Sequence, residues 1–191
     1  MNTFSGTTPA RLHLGCGTAI KAGWVNHDMV QLPGVDVVHD LREFPWPFAD
    51  GQFDELYMKD VLEHLPDTIR TMDELYRITR PGAKVYISVP YWNSNTATGD
   101  PTHLRFFNEY SFQFFDPDAW QCRERPYYAR ARFYVRRLGV GITTFEIIGP
   151  IPKLTRDFVV FSPILKKILL VLSSFFCNIV SGLDVHLERA S

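Results

Sequence analysis

Apolar positions in the first hundred residues come in short runs separated by turn residues, with one longer stretch at helical spacing. Residues 11–14 lead into Gly15, residues 24–27 into Asp28, and residues 35–38 run on to Asp40. Residues 53–58 make a fourth β-prone run. Asp67 then stands where an N-cap belongs, ahead of Ile69, Met72, Leu75, Tyr76 and Ile78 on one helical face. Arg80-Pro81-Gly82 stops that helix, and residues 84–89 are again strongly β-prone. Strands alternating with crossovers predict an α/β domain on a mainly parallel sheet.

The second half reads differently. A polar loop over residues 91–103 is followed by an aromatic stretch, residues 106–115. Residues 130–138, 142–148 and 183–187 are β-prone and read as antiparallel additions to the sheet. Between the last two lies an amphipathic helical pattern, residues 164–183. Ser162, Lys166, Lys167, Ser173, Ser174, Asn178 and Ser181 share an arc of roughly 160° at helical spacing. Ile164, Leu165, Ile168, Leu169, Val171, Leu172, Phe175, Phe176 and Ile179 fill the opposite arc. A membrane span would be apolar all round. The crossovers at residues 15–23 and 29–34 are too short for full helices, which leaves one sheet face without its usual cover. The C-terminal helix is therefore expected to pack on the sheet or on a neighbouring subunit, with Lys166 and Lys167 outward. A substrate lid, a homodimer contact and peripheral docking on a membrane surface are the alternatives.

The 191 residues suit a single domain, with residues 11–115 as its core and 116–191 shaping the substrate side. A formal charge of −1 argues against a nucleic-acid partner drawn by charge alone. The charge is uneven: residues 1–95 carry 8 basic and 12 acidic side chains, so the second half is the basic one. That half suits an anionic or sugar-linked acceptor, or simply a solvated face. Cys16, Cys122 and Cys177 are odd in number and lack metal-ligand spacing, so neither a disulfide framework nor a cysteine-bound metal is expected. With no secretory pattern in MNTFSGTTPA, the expectation is a cytoplasmic protein without a metal.

The loop His13-Leu14-Gly15-Cys16-Gly17-Thr18-Ala19 directly follows a strand. Glycines there let the backbone turn sharply and approach a ligand that a Cβ would exclude. Asp28 and Asp40 end the next two strands, where a carboxylate can accept hydrogen bonds from a ribose diol or an adenine amino group. Each alone is equally well read as a turn or helix cap. A dinucleotide site would need a full helix after the glycines and a third glycine, whose place Ile20 takes.

The segments HLGCGT, GWVNHD, GVDVVHDL, FPWPFADGQFDELYMKDVLEHL, ELYRITRPGAKVYISVP and DPTHLRFF together resemble the class I, type-11-like methyltransferases. The resemblance covers about residues 11–115 and implies a Rossmann-like fold with S-adenosylmethionine as cofactor. It implies that Gly15, Cys16 and Gly17 wrap the methionine end, with Leu14 and Met29 among the contacts. Asp28 would hold the ribose hydroxyls, and Asp40 and Leu41 would read the adenine. Lys59, Asp60 and Val61 would line the methionine side, and His64 would face the site. One departure is Pro81-Gly82-Ala83, where the family often shows a second glycine.

Methyl transfer needs a general base only when the acceptor loses a proton on attack. His103, in Asp100-Pro101-Thr102-His103, lies on a loop expected to overhang the cofactor and is the candidate base; ordering that loop with Asp100 is its other reading. His64 is the second candidate. Arg130, Arg132, Tyr134 and Arg136 would share one face of a strand, as a solvated surface or a nucleic-acid contact. The leading function is methyl transfer to an oxygen or nitrogen of a small molecule. A noncatalytic binding domain and a nucleic-acid methyltransferase are the alternatives. The last lacks the Asn/Asp-Pro-Pro-aromatic motif of amino methyltransferases of nucleic acids.

Overall fold

The computed structural model describes residues 10–142 and 158–191. These form strands β1 (Arg11–Leu14), β2 (Val25–Asp28), β3 (Val37–Val38), β4 (Phe53–Lys59), β5 (Thr79–Pro90), β6 (Phe133–Ile142), β7 (Phe158–Val160) and β8 (Gly182–Arg189). The helices are α1 (Thr68–Ile78), α2 (Asn95–Thr98), α3 (Trp120–Glu124) and α4 (Pro163–Ser173), with 3-10 turns at Leu62–His64 and Ser111–Phe114. All eight strands join one sheet in the order β3-β2-β1-β4-β5-β8-β6-β7. The first five pair in parallel, and β8, β6 and β7 are added antiparallel. From β1 the chain moves outward to β2 and β3, then returns to β4 on the other side of β1. Such a reversal opens a crevice beyond the carboxyl ends of the strands.

Helix α1 forms as its sequence predicts. The Asp67 carboxylate accepts the Arg70 N–H at 2.9 Å and caps the first turn. Met72, Leu75 and Ile78 are fully buried and share one core with Leu12, Leu14, Leu56, Met58, Val85 and Ile87 from alternate strand positions. Burial of about 1.5–3 kcal/mol per large apolar side chain makes this face the main source of stability.

The opposite face has a different cover from the one expected. His13, Tyr57, Tyr86 and His186 are cross-strand partners on β1, β4, β5 and β8. Their rings meet in sequence, with centroids 5.1, 4.7 and 5.1 Å apart. Lys21 places its ammonium 4.0 Å from the Tyr57 ring, and Phe161 adjoins His186. Ring contacts of this kind add about 0.5–1.5 kcal/mol each beyond their buried area. A row of aromatic and imidazole rings thus covers the face where the crossovers supply no helix.

Two expectations about the C-terminal half need correction. The amphipathic pattern runs to residue 183, yet α4 ends at Ser173. The Ser173 and Ser174 hydroxyls both donate to the Leu170 carbonyl, and the Asn93 side-chain amide donates to the Ser173 carbonyl, so local bonds and one long-range contact close the helix. Its apolar arc is not packed on the sheet either: Ile164, Leu165, Ile168, Val171 and Leu172 are exposed, while Leu169 and Leu170 touch the core. Lys166 turns inward, and its ammonium donates to the Leu138 carbonyl on β6 at 2.9 Å. The second correction concerns the arginines. Arg130 and Arg132 precede β6, and the register shifts between Val135 and Arg137. The Arg132 guanidinium donates to the carbonyls of Pro126, Ala129 and Ala131, and Arg136 pairs with Glu188 at 3.0 Å. No shared arginine face results. Of the β-prone run at 142–148, only Ile142 falls within the described residues. Among those residues no helix is long and apolar enough to cross a membrane.

Candidate active site

The glycine loop is held against the ends of β2 and β4. Gly15 has φ +62°, and a Cβ built there would lie 2.2 Å from Val61 Cγ2, so only glycine fits. The Cys16 N–H donates to the His27 carbonyl, and the Gly17 N–H donates to Asp28 Oδ2 at 2.7 Å. Burial, with Asp28 nearby, pushes the Cys16 thiol up from its ordinary value, which keeps it protonated. The other Asp28 oxygen accepts the Val30 N–H at 3.1 Å. Asp40 chelates Arg42 within its own turn, which holds its carboxyl below the usual range. Leu41 is buried, and its carbonyl accepts the Trp46 indole N–H at 3.0 Å. At the end of β4, Asp60 takes φ +53°, a left-handed conformation uncommon outside glycine, and its N–H donates to Ser88 of β5.

These elements enclose a cavity of about 610 Å³ beyond the carboxyl ends of β1, β2 and β4. Gly15, Asp28, Met29, Asp40, Leu41, Asp60 and Val61 all line it. Leu14 lies in the core behind the loop, Cys16 is buried, and Gly17 is tied to Asp28. Lys59 faces a second cavity of about 500 Å³, which also holds Glu63, His64, Asp100 and His103. Asp60 and His64 line both cavities and form a shared wall.

The second cavity gathers the two candidate histidines around a carboxylate that sequence reasoning passed over. The loop carrying His103 is fastened above the Leu62–His64 turn, because the N–H groups of Leu104 and Arg105 both donate to the Glu63 carbonyl. The rings of His64 and His103 meet edge to face at 4.7 Å. His103 Nε2 lies 4.0 Å from Glu63 Oε1 and 3.9 Å from Asp100 Oδ2. Asp100, read as a loop-ordering partner, accepts the Thr102 hydroxyl and N–H, which hold its carboxyl below the usual range. Glu63 is 1% exposed, neither carboxylate oxygen has a hydrogen-bond partner among the described residues, and burial pushes its carboxyl up to about 7. Its one sequence signal is its place between Leu62 and Leu65, both core residues; what isolates the carboxylate is the loop at residues 100–105, which folds over it.

Residues 8–123 match the model of a methyltransferase domain family. Over 46 residues the chain is 44% identical to an uncharacterized methyltransferase of Mycobacterium sp. (strain KMS), covering 24% of this chain and 18% of that protein. It is 35% identical over 54 residues to the chloroplastic tocopherol O-methyltransferase of Arabidopsis thaliana, covering 28% and 15%. The matched stretches thus span less than a fifth of these curated relatives. In fold the chain is similar to an S-adenosylmethionine-dependent methyltransferase of Thermotoga maritima, with TM-score 0.60 at 13% identity over 96% of this chain and 83% of that one. The family match extends over more than half of the chain, and the protein belongs to the methyltransferase domain family.

Proposed function

We propose that the protein transfers a methyl group from S-adenosylmethionine to an oxygen or nitrogen of a small-molecule acceptor. The observation that carries this reading is the pair of cavities sharing Asp60 and His64 as a common wall. One takes the cofactor and the other the acceptor, so that donor methyl and nucleophile meet at the junction. The cofactor side fits its ligand: at Gly15 the backbone closes against Val61 with no room for a Cβ. Asp28, at the end of β2, offers carboxylate lone pairs to a ribose diol, each oxygen having more than one acceptor site. Asp40 and Leu41 receive the adenine, and Asp60 and Val61 the methionine end. When bound, the cofactor supplies an electrophilic methyl on a sulfonium, and orientation with exclusion of water does most of the rest.

His103 is assigned to the acceptor's proton. Its Nδ1 faces the Ala97 carbonyl at 2.8 Å and must be the protonated nitrogen, which leaves the Nε2 lone pair for the cavity. Consumption of Arg132 and Arg136 by intramolecular partners favours a small molecule over a nucleic acid. A relative named for O-methylation of tocopherol supports an oxygen acceptor. Three free cysteines fit a reducing cytoplasm. The test is release of S-adenosylhomocysteine with a panel of hydroxylated and amino acceptors. His103→Ala should lower turnover about a hundredfold while cofactor affinity holds nearly constant. Unchanged turnover would remove His103 from the chemistry. No release with any acceptor, despite cofactor binding, would favour a noncatalytic domain.

A further inference from the structure

We infer that Glu63, His64 and His103 form a binding site for a divalent transition-metal cation of the zinc and cobalt class, in the wall of the acceptor cavity. Three independent features of the molecule converge on it. A ring nitrogen of each histidine and a Glu63 carboxylate oxygen lie within 4.8 Å of one another. Donors about 2.1 Å from an ion stand about 3–3.5 Å apart, so side-chain rotations of roughly an ångström close the set. Glu63 is nine-tenths and more buried, and among the described residues neither of its oxygens has a hydrogen-bond donor. A buried polar atom left this way is costly unless something not yet counted satisfies it.

The third feature is the orientation of the imidazoles. His103 Nδ1–H donates to the Ala97 carbonyl at 2.8 Å, which fixes the proton there and frees Nε2, the nitrogen nearer Glu63. Thr102 has one hydroxyl proton and spends it on Asp100 Oδ1 at 2.6 Å. Its oxygen must then accept from His64 Nδ1–H at 3.0 Å, which in the neutral ring puts the lone pair on His64 Nε2. Metal-bound histidines are oriented in this manner, by a carbonyl or hydroxyl on the nitrogen that does not bind. Two imidazoles and one carboxylate suit zinc, cobalt or ferrous iron rather than calcium or magnesium, and three protein ligands leave positions open.

Resting on the methyltransferase reading, the open positions take the oxygen of a hydroxylated acceptor. Bound to the cation, the hydroxyl releases its proton to solvent at the cavity mouth near neutral pH. An oxygen lone pair then forms the bond to the methyl carbon as the carbon–sulfur bond breaks, its electron pair returning to sulfur as a neutral thioether. His103 serves as a ligand in this loaded form and as a base only without the cation.

The test uses chelator-treated full-length protein titrated with zinc chloride by calorimetry and with cobalt chloride by visible absorption. One ion per chain is expected, with the cobalt bands intensifying as it leaves its octahedral water shell. Glu63→Gln and His103→Gln should each weaken binding about a hundredfold. Circular dichroism reports folding of each variant, and if one fails to fold the other decides. Equal affinity in wild type and either folded variant, or no saturation below about millimolar metal, overturns the site. S-adenosylmethionine binding is measured alongside. Metal binding without cofactor binding would sink the methyltransferase reading and leave the metal site standing, and the reverse result would do the opposite.

Discussion

Gly15 and Gly17 are neighbours in one loop, both at positive φ, yet their surroundings separate two roles. Gly17 has φ +49° and open space where a Cβ would go, whereas at Gly15 that Cβ would meet Val61 Cγ2 at 2.2 Å. Replacing Gly17 by alanine should therefore cost only the backbone conformation, about 1 kcal/mol, measured as a urea midpoint. Gly15→Ala should cost about 2–3 kcal/mol and also block the cofactor, since the backbone must move away from β4. Adding Val61→Ala should recover the steric part and leave the φ penalty. Equal losses at the two glycines would contradict the close approach as the reason for Gly15. Much at this level was readable from the chain, because a glycine pair after a strand and an aspartate at the end of the next are local patterns. Glu63 was not: the sequence shows it beside His64, but its isolation depends on the loop at 100–105, which folds over it from outside the motif.

Strands β1 to β5 and helix α1 followed from local rules, since capping by Asp67 acts within a few residues. The helix ends at its C-cap, Thr79, and Arg80-Pro81-Gly82, expected as a breaking turn, belongs to the start of β5. Helix α4 shows where such rules stop. Periodicity tells which side chains share an arc, but which arc turns inward is decided by Lys166 reaching Leu138 and by Asn93 holding Ser173. The ring row across the helix-free face was equally hidden, because it exists only once β1, β4, β5 and β8 are in register. Histidines on both faces of the sheet carry a pH consequence. Burial lowers the basicity of His13, His27 and His186 below the ordinary histidine value of 6.5. At these three groups the unfolded chain binds more protons than the folded one below about pH 6.5, so their contribution to stability falls as pH drops toward the folded values. His27 has the tightest constraint: its Nε2–H donates to the His39 carbonyl, and its Nδ1 is buried without a partner to receive a second proton. Glu63, raised to about 7, works in the opposite direction, so the histidine contribution is read by difference. Between about pH 7 and pH 5 the urea midpoint of wild type should fall further, or rise less, than that of His27→Gln. A variant profile identical to wild type would show that His27 does not carry the effect.

The described residues form a mostly parallel sheet whose reversal point is flanked by two cavities, with antiparallel strands β8, β6 and β7 extending the side of the second. The parallel strands and most of the residues that line the first cavity follow from signals along residues 11–90, each acting over short distances. The second cavity draws Lys59, Glu63, His103, Gly141, Val159 and Asp184 from distant parts of the chain, and no local pattern announces such a gathering. That asymmetry is why the family could be recognised from the sequence while the chemistry of the acceptor depends on the structure. The binding of S-adenosylmethionine is the measurement that decides most. Calorimetry should give one site per chain for S-adenosylmethionine and its demethylated product. Asp28→Ala should weaken both about tenfold to a hundredfold, since it removes a charged acceptor worth about 1.5–3 kcal/mol per hydrogen bond. Tight binding of NAD or NADP with no detectable binding of S-adenosylmethionine would contradict the assignment of the cofactor cavity.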